Sequence, residues 1–251
     1  MAMKANIKQA LYSKVFLISV TSVCIVIFLA SINSVLKAFR LTDVVESGFH
    51  AKILLQALNS DTIYFAMPIL CALPYTASFI DEMKSGYVKF YLIRTDAAHY
   101  IKGKILGNAL AGTLTLFLGI LLAYIVSMIV FLPMEATSIQ GAYAGLFTKV
   151  LEKAILFALS GAFWATVGMT LATITNNKYM AYASPFIIFY LFVILYERYF
   201  DTLYVLYPKE WLSPSDAWVW GNTGVILLLA FLILGGSLVF MLVARRRIEA
   251  L

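Results

Sequence analysis

Apolar residues fall along this chain in long runs separated by short polar segments. A helix needs about 20 apolar residues to cross a bilayer. The runs predict six such spans, at about 14–33, 61–80, 105–132, 150–174, 180–200 and 223–244. The expected fold is all-α and polytopic, a single transmembrane unit over residues 1–251. Ahead of the first span, Met3, Ile7 and Leu11 repeat every four residues beside Ala10, with Lys4 and Lys8 on the flank. That pattern predicts an amphipathic helix lying in the headgroup layer. The run from Val15 to Ile32 is longer than a signal-peptide core of about 7–15 residues, so an uncleaved first span is expected. Residues 34–60 mix charges with Val44, Val45, Phe49, Ile53, Leu54 and Leu58, and predict an amphipathic connection or extensions of the flanking spans. Pro68 and Pro74 predict a kink in the second span. Asn176, Asn177 and Lys178 predict a tight turn, and Arg245–Arg247 an end to the last span.

Composition sharpens this picture. Hydrophobic residues make up 62% of the 251 and charged residues 13%, against about 25% charged in soluble domains. A disordered chain, a disulfide scaffold and a sizeable soluble catalytic domain are excluded. The net charge of +6 is read as cytoplasmic-loop cation, not as a nucleic-acid footprint. With both termini on one side, 12 of the 19 cations fall on that side, which predicts cytoplasmic termini. Cys24 and Cys71 lie inside expected spans and are read as packing residues.

Several chemistries lack their residues. The only Gly-Lys pair, Gly103-Lys104, is followed by Ile105, and Ala98 stands where a P-loop needs its first glycine. His50 and His99 are isolated and outside the expected spans, which predicts ordinary loop residues and no zinc site. Ser160-Gly161 has no histidine at its depth. Asp61, Glu152, Glu197 and Asp201 sit near expected span ends, not at the midplane where pumps place carboxylates. No catalytic residue, metal site or cofactor is expected in this chain, and its energy must come from elsewhere.

The most polar stretch is Asp81 to Lys104, on the basic side. Tyr87, Val88, Phe90, Tyr91, Leu92 and Ile93 surround Lys89, with Thr95 or Asp96 as a helix N-cap. An aromatic face framed by charge suits docking on a partner protein. The order Glu82-x-x-x-Gly86, a hydrophobic stretch, Arg94, then Tyr100-Ile101-x-Gly103-Lys104 resembles the first cytoplasmic loop of type-2 ABC exporter permeases. The six-span layout is similar over nearly the whole chain, and the compact size resembles the bacterial antimicrobial-peptide immunity and efflux branch. The turn departs from that family: Arg94-Thr95-Asp96-Ala97-Ala98-His99 stands where Pro-x-Ser-Arg is usual.

The resemblance implies a plasma-membrane permease that works as a dimer, with itself or a similar chain. A separate ATPase subunit would hold ATP and Mg and push on a coupling element that includes Glu82, Ser85, Gly86, Lys89, Arg94, Tyr100 and Lys104. It also implies a path between spans two and five. Tyr179, Tyr182, Phe186, Phe189, Val193 and Tyr196 form one helical stripe, and Tyr64, Met67, Cys71 and Tyr75 another. Spacing alone favours plain core or lipid contact over a path. Trp211, Trp218 and Trp220 read as an interfacial aromatic belt or an outer gate. Gly103, Gly107 and Ala111, with Gly161 and Gly168, predict close helix packing. The apolar candidates suit a hydrophobic or amphipathic substrate. The alternative is a structural or sensory membrane protein that docks a cytoplasmic partner through residues 81–104.

Overall fold

Most of each long apolar run is helical. A computed structural model describes residues 2–40, 46–93, 95–135, 142–218 and 220–250, with only the backbone of 2–4 and 142–144. Its helices are α1 (Ala2–Leu11), α2 (Lys14–Ala30), α3 (Ile32–Arg40), α4 (Phe49–Leu58), α5 (Asp61–Ala72), α6 (Ser78–Lys84), α7 (Tyr87–Leu92), α8 (Ala97–Phe131), α9 (Ala142–Thr175), α10 (Lys178–Tyr199), α11 (Pro208–Leu212) and α12 (Gly221–Glu249). Among the described residues no strand occurs. Helices α8, α9, α10 and α12 are long and apolar enough to cross a membrane. Two bent pairs meet the same test when each is taken together: α1 with α2, at 45°, and α4 with α5, at 73°. This is a membrane protein.

The expected second span is broken. Helix α5 ends at Ala72, and turns lead from Leu73 into α6. Pro68 lacks the N–H that would bond one turn back, and Pro74 follows the helix end. Within the expected amphipathic connection, the described residues form α3 and α4. Helix α4 buries Leu54, Ala57 and Leu58 in the main core and Ile53 in a smaller cluster with Ala38 and Phe131. The triplet Arg245–Arg247 does not end a helix, since α12 continues to Glu249. Arg247 donates 2.7 Å to the carbonyl of Ile174, which draws the end of α12 onto the end of α9. The expected turn at Asn176 is present. Asn176 adopts a left-handed φ of 54°, and Asn177 Oδ1 caps α10 by accepting from Tyr179 N–H at 3.0 Å.

Small residues set the helix spacing. Helices α8 and α9 cross where Gly112 meets Gly161, so closely that a Cβ on either would lie 2.7 Å from the other's carbonyl oxygen. Gly168 meets the carbonyl of Ala181 in the same manner, at 2.5 Å. Gly107 admits α1, whose Asn6 carbonyl would lie 3.4 Å from a Cβ there, and Ala111 packs with Ala10 and Tyr75. The buried stripe of α1 is therefore Asn6 and Ala10. Ile7 and Leu11 are only half-buried.

The chain has two contrasting ends. One gathers α1, α6, α7 and the start of α8, with the ends of α9 and α12 beside α6. The other gathers the α4–α5 junction, the early part of α9, α11 and the start of α12. About 20 residues of α9, or about 30 Å, separate Lys153 from Thr173.

Candidate functional site

The polar segment does not form a bare loop. Helix α6 ends at Lys84, and Gly86 follows with φ +73° and open space around it, a conformation that costs a side-chain-bearing residue. That turn starts α7, which seats one residue, Val88, in the interior. Tyr87, Lys89, Phe90 and Ile93 remain exposed, Phe90 at 72% and Ile93 at 81%. Asp96 is the N-cap of α8 by backbone conformation, without a side-chain bond to the helix.

Behind this exposed helix lies a buried polar knot. Lys104, on α8, is 0% exposed. Its ammonium donates to Glu82 Oε1 at 2.6 Å, to the Tyr75 hydroxyl at 3.0 Å and to Ser78 Oγ at 3.5 Å. Those three bonds use all three of its donors. Glu82 Oε2 accepts from the Tyr100 hydroxyl at 2.6 Å, and Oε1 also accepts from Gln9 Nε2 at 3.4 Å. The Tyr75 hydroxyl has Asn6 Oδ1 and Gln9 Oε1 each at 3.1 Å, so its single proton serves one at a time. Lys104 also stands 4.8 Å from the centre of the Tyr75 ring. Helices α1, α6 and α8 and the turn after α5 are thus tied at one point. Burial, then Tyr87 and the Glu82 carboxylate, raise the Tyr91 phenol above its ordinary range. An open recess of about 760 Å³ adjoins the knot, lined by Gln9, Tyr75, Asp81, Glu82, Tyr87 and Tyr182.

This ion pair is saturated with hydrogen bonds. Neither charge is free to take up a ligand without breaking the tie. Of the expected coupling residues, Glu82, Tyr100 and Lys104 meet in the knot, while Ser85, Gly86 and Lys89 form the turn and exposed helix outside it. Arg94 lies outside the described residues. Asn6, Gln9 and Ser78 join the knot without any expectation from sequence, because an amphipathic pattern does not reveal which polar residue of its flank will turn inward.

The other expected residues divide by depth. Tyr75 belongs to the knot. Met67, Cys71 and Phe189 are buried in the core. Tyr64 reaches the opposite end, where its hydroxyl stands 3.1 Å from Ser213 Oγ. Tyr182 and Phe186 are half-buried. Tyr196 is also half-buried and stacks on Tyr207 with centroids 4.2 Å apart. Phe65, not singled out by the spacing, is 53% exposed and packs its ring on Phe186 and Tyr190, joining α5 to α10. Trp211 turns inward, 2% exposed and stacked 5.9 Å from Trp164. Trp218 is half-buried, and Trp220 is exposed.

His50 corrects the expectation of an ordinary loop residue. It lies in α4, 2% exposed, with Nδ1 2.8 Å from Glu135 Oε1 and Nε2 3.4 Å from the Tyr124 hydroxyl. Glu135 also accepts the backbone N–H of Gly48 at 2.9 Å and of His50 at 2.7 Å, so one carboxylate closes the start of α4 onto the end of α8. His99 stays exposed, 3.5 Å from Asp96. Among the described residues no group of three or more His, Cys, Asp and Glu side chains could hold a metal.

No protein-family model and no curated protein matches this chain.

Proposed function

We propose that this chain is the transmembrane subunit of an ATP-driven exporter of the type-2 ABC permease kind. The observation that carries the reading is the knot of Glu82, Tyr100 and Lys104 behind α7. It joins an exposed aromatic and cationic helix to the start of α8, 35 residues and about 52 Å long. A separate ATPase subunit, holding ATP and Mg, docks on α7. Its closure is delivered through the ion pair to α8. In this reading α2 and the bent pair of α4 and α5 join α8, α9, α10 and α12 to make six spans, and α1 rests at the headgroup layer. Residues 81–104 and both termini face the cytoplasm across the plasma membrane.

The path forms against a second copy or a similar permease. Exposed Phe65, Ile187, Leu191 and Ile194 on α5 and α10 supply the apolar surface a partner would cover. That surface suits a hydrophobic or amphipathic cargo, such as a peptide, an antibiotic or a lipid-like molecule.

The test is reconstitution with a candidate ABC ATPase subunit. ATP hydrolysis and export of an amphipathic peptide are measured together. Phe90→Ala is expected to weaken ATPase docking, and Glu82→Gln to leave hydrolysis running while export falls. Export by the chain alone in liposomes, without ATP, would overturn the proposal.

A further inference from the structure

The end opposite the knot holds a second lysine, half-buried, whose surroundings differ. Lys153, on α9, directs its ammonium to the carbonyl of Leu212 at 3.2 Å, to Asn59 Oδ1 and to Ser213 Oγ. All three acceptors are neutral. Among the described residues, no carboxylate lies within ion-pair distance of it. Lys104 has Glu82 to balance its charge, and Lys153 has no counterpart. A partly buried cation without a counter-charge attracts one.

The space to admit one is present. Lys153 lines a recess of about 620 Å³ between the α4–α5 junction, α9, the residues after α11 and the start of α12. Lys149, one helical turn before it, lines the same recess and is exposed. The remaining carboxylate of the lining, Glu152, takes Asn222 Nδ2 at 3.3 Å. Two lysines and one glutamate leave a single positive charge in excess. That balance suits a head carrying one negative charge and disfavours a doubly charged phosphomonoester. Leu55, Leu156 and Pro214 line the same space and suit an apolar tail.

We infer that this recess binds the singly charged anionic head of an amphipathic ligand, a phosphodiester or a carboxylate, with Lys149 and Lys153 as its counter-charges. The inference stands apart from ATP-driven export, because it needs no partner subunit. The shared chemistry could come from a membrane lipid or from a free amphiphile. Isothermal titration of the full chain in neutral detergent separates them. The probes are dioctanoyl phosphatidylglycerol and octanoate, with dioctanoyl phosphatidylcholine as the control.

Saturable binding of phosphatidylglycerol or octanoate is expected, and the probe that saturates at lower concentration identifies the source. Lys153→Gln should weaken it about tenfold or more, as loss of an unbalanced counter-charge does, since its three donors are already taken by Asn59, Leu212 and Ser213. Lys149→Gln, at the rim and outside the core, should weaken it in the same direction while leaving the fold intact. Equal binding of phosphatidylcholine, no binding of either anion, or binding unchanged in Lys149→Gln would overturn the inference.

Discussion

Lys104 and Glu82 stand 2.6 Å apart, 22 residues apart in sequence, with the whole exposed helix α7 between them. Removing one partner of such a pair strands a buried charge, at a cost of about 3–5 kcal/mol. Lys104→Met and Glu82→Leu are each expected to lower the melting temperature of the purified protein steeply. The double variant should recover roughly half of the summed loss or more, because no charge is left unpaired. Strictly additive losses in a thermal melt would show that the two side chains do not act as a pair.

The crossing of α8 and α9 predicts opposite effects for one kind of substitution. Gly112→Ala and Gly161→Ala place a methyl group 2.7 Å from a backbone oxygen, and overpacking of this kind costs about 1–3 kcal/mol. Gly235→Ala, within α12 and with nothing inside 4 Å, should stabilise its helix by about 0.5–1 kcal/mol. Chemical denaturation in mixed micelles compares the three. A loss at Gly235 equal to that at Gly112 would contradict the packing argument.

Glu135 holds two backbone N–H groups as well as the His50 ring. Glu135→Ala leaves those donors unsatisfied, at about 1–3 kcal/mol for a buried group. Amide exchange at the start of α4 is expected to quicken sharply, while exchange in α10 stays as it was. Unchanged protection at Gly48 and His50 would show that the carboxylate does not hold the helix start.

The proposed orientation makes a labelling prediction. With Cys24 and Cys71 both buried, single cysteines at Lys89 and Asp216, both exposed, should dominate labelling. Membrane-impermeant maleimide applied to whole cells should modify Asp216→Cys and spare Lys89→Cys. Reaction at Lys89→Cys alone would invert the orientation.

Periodicity and run length made the helices legible, because a membrane span must satisfy its backbone internally and announces itself by composition. Glu82, Tyr100 and Lys104 stood out in the sequence through their order in one short segment, which carried the resemblance. Their mutual contact did not. An ion pair across a turn needs the path of the chain after Pro74, which no window of hydropathy contains. The same holds for His50. Its partner Glu135 lies 85 residues away, and a lone histidine in a charged connection gives no sign of being buried. Trp211 misled for a related reason: the short helix α11 folds it inward onto Trp164, against the usual position of tryptophan at an interface. Gly112 escaped the small-residue spacing because its partner, Gly161, is on another helix.

The contact of Gly112 with Gly161 is made by backbone alone, so no side-chain rotamer can absorb a shift there. In the proposed exporter it would serve as a fulcrum. From Lys104 to that point is about 12 Å along α8, and from it to Phe131 about 28 Å. Rocking about this bearing would more than double a displacement by the time it reaches the far end of the helix. A movement of about 1 Å at the knot becomes about 2 Å beside the Glu135 clamp. In an exporter of this kind, the ratio of the two movements would be set by where a glycine falls in one long helix.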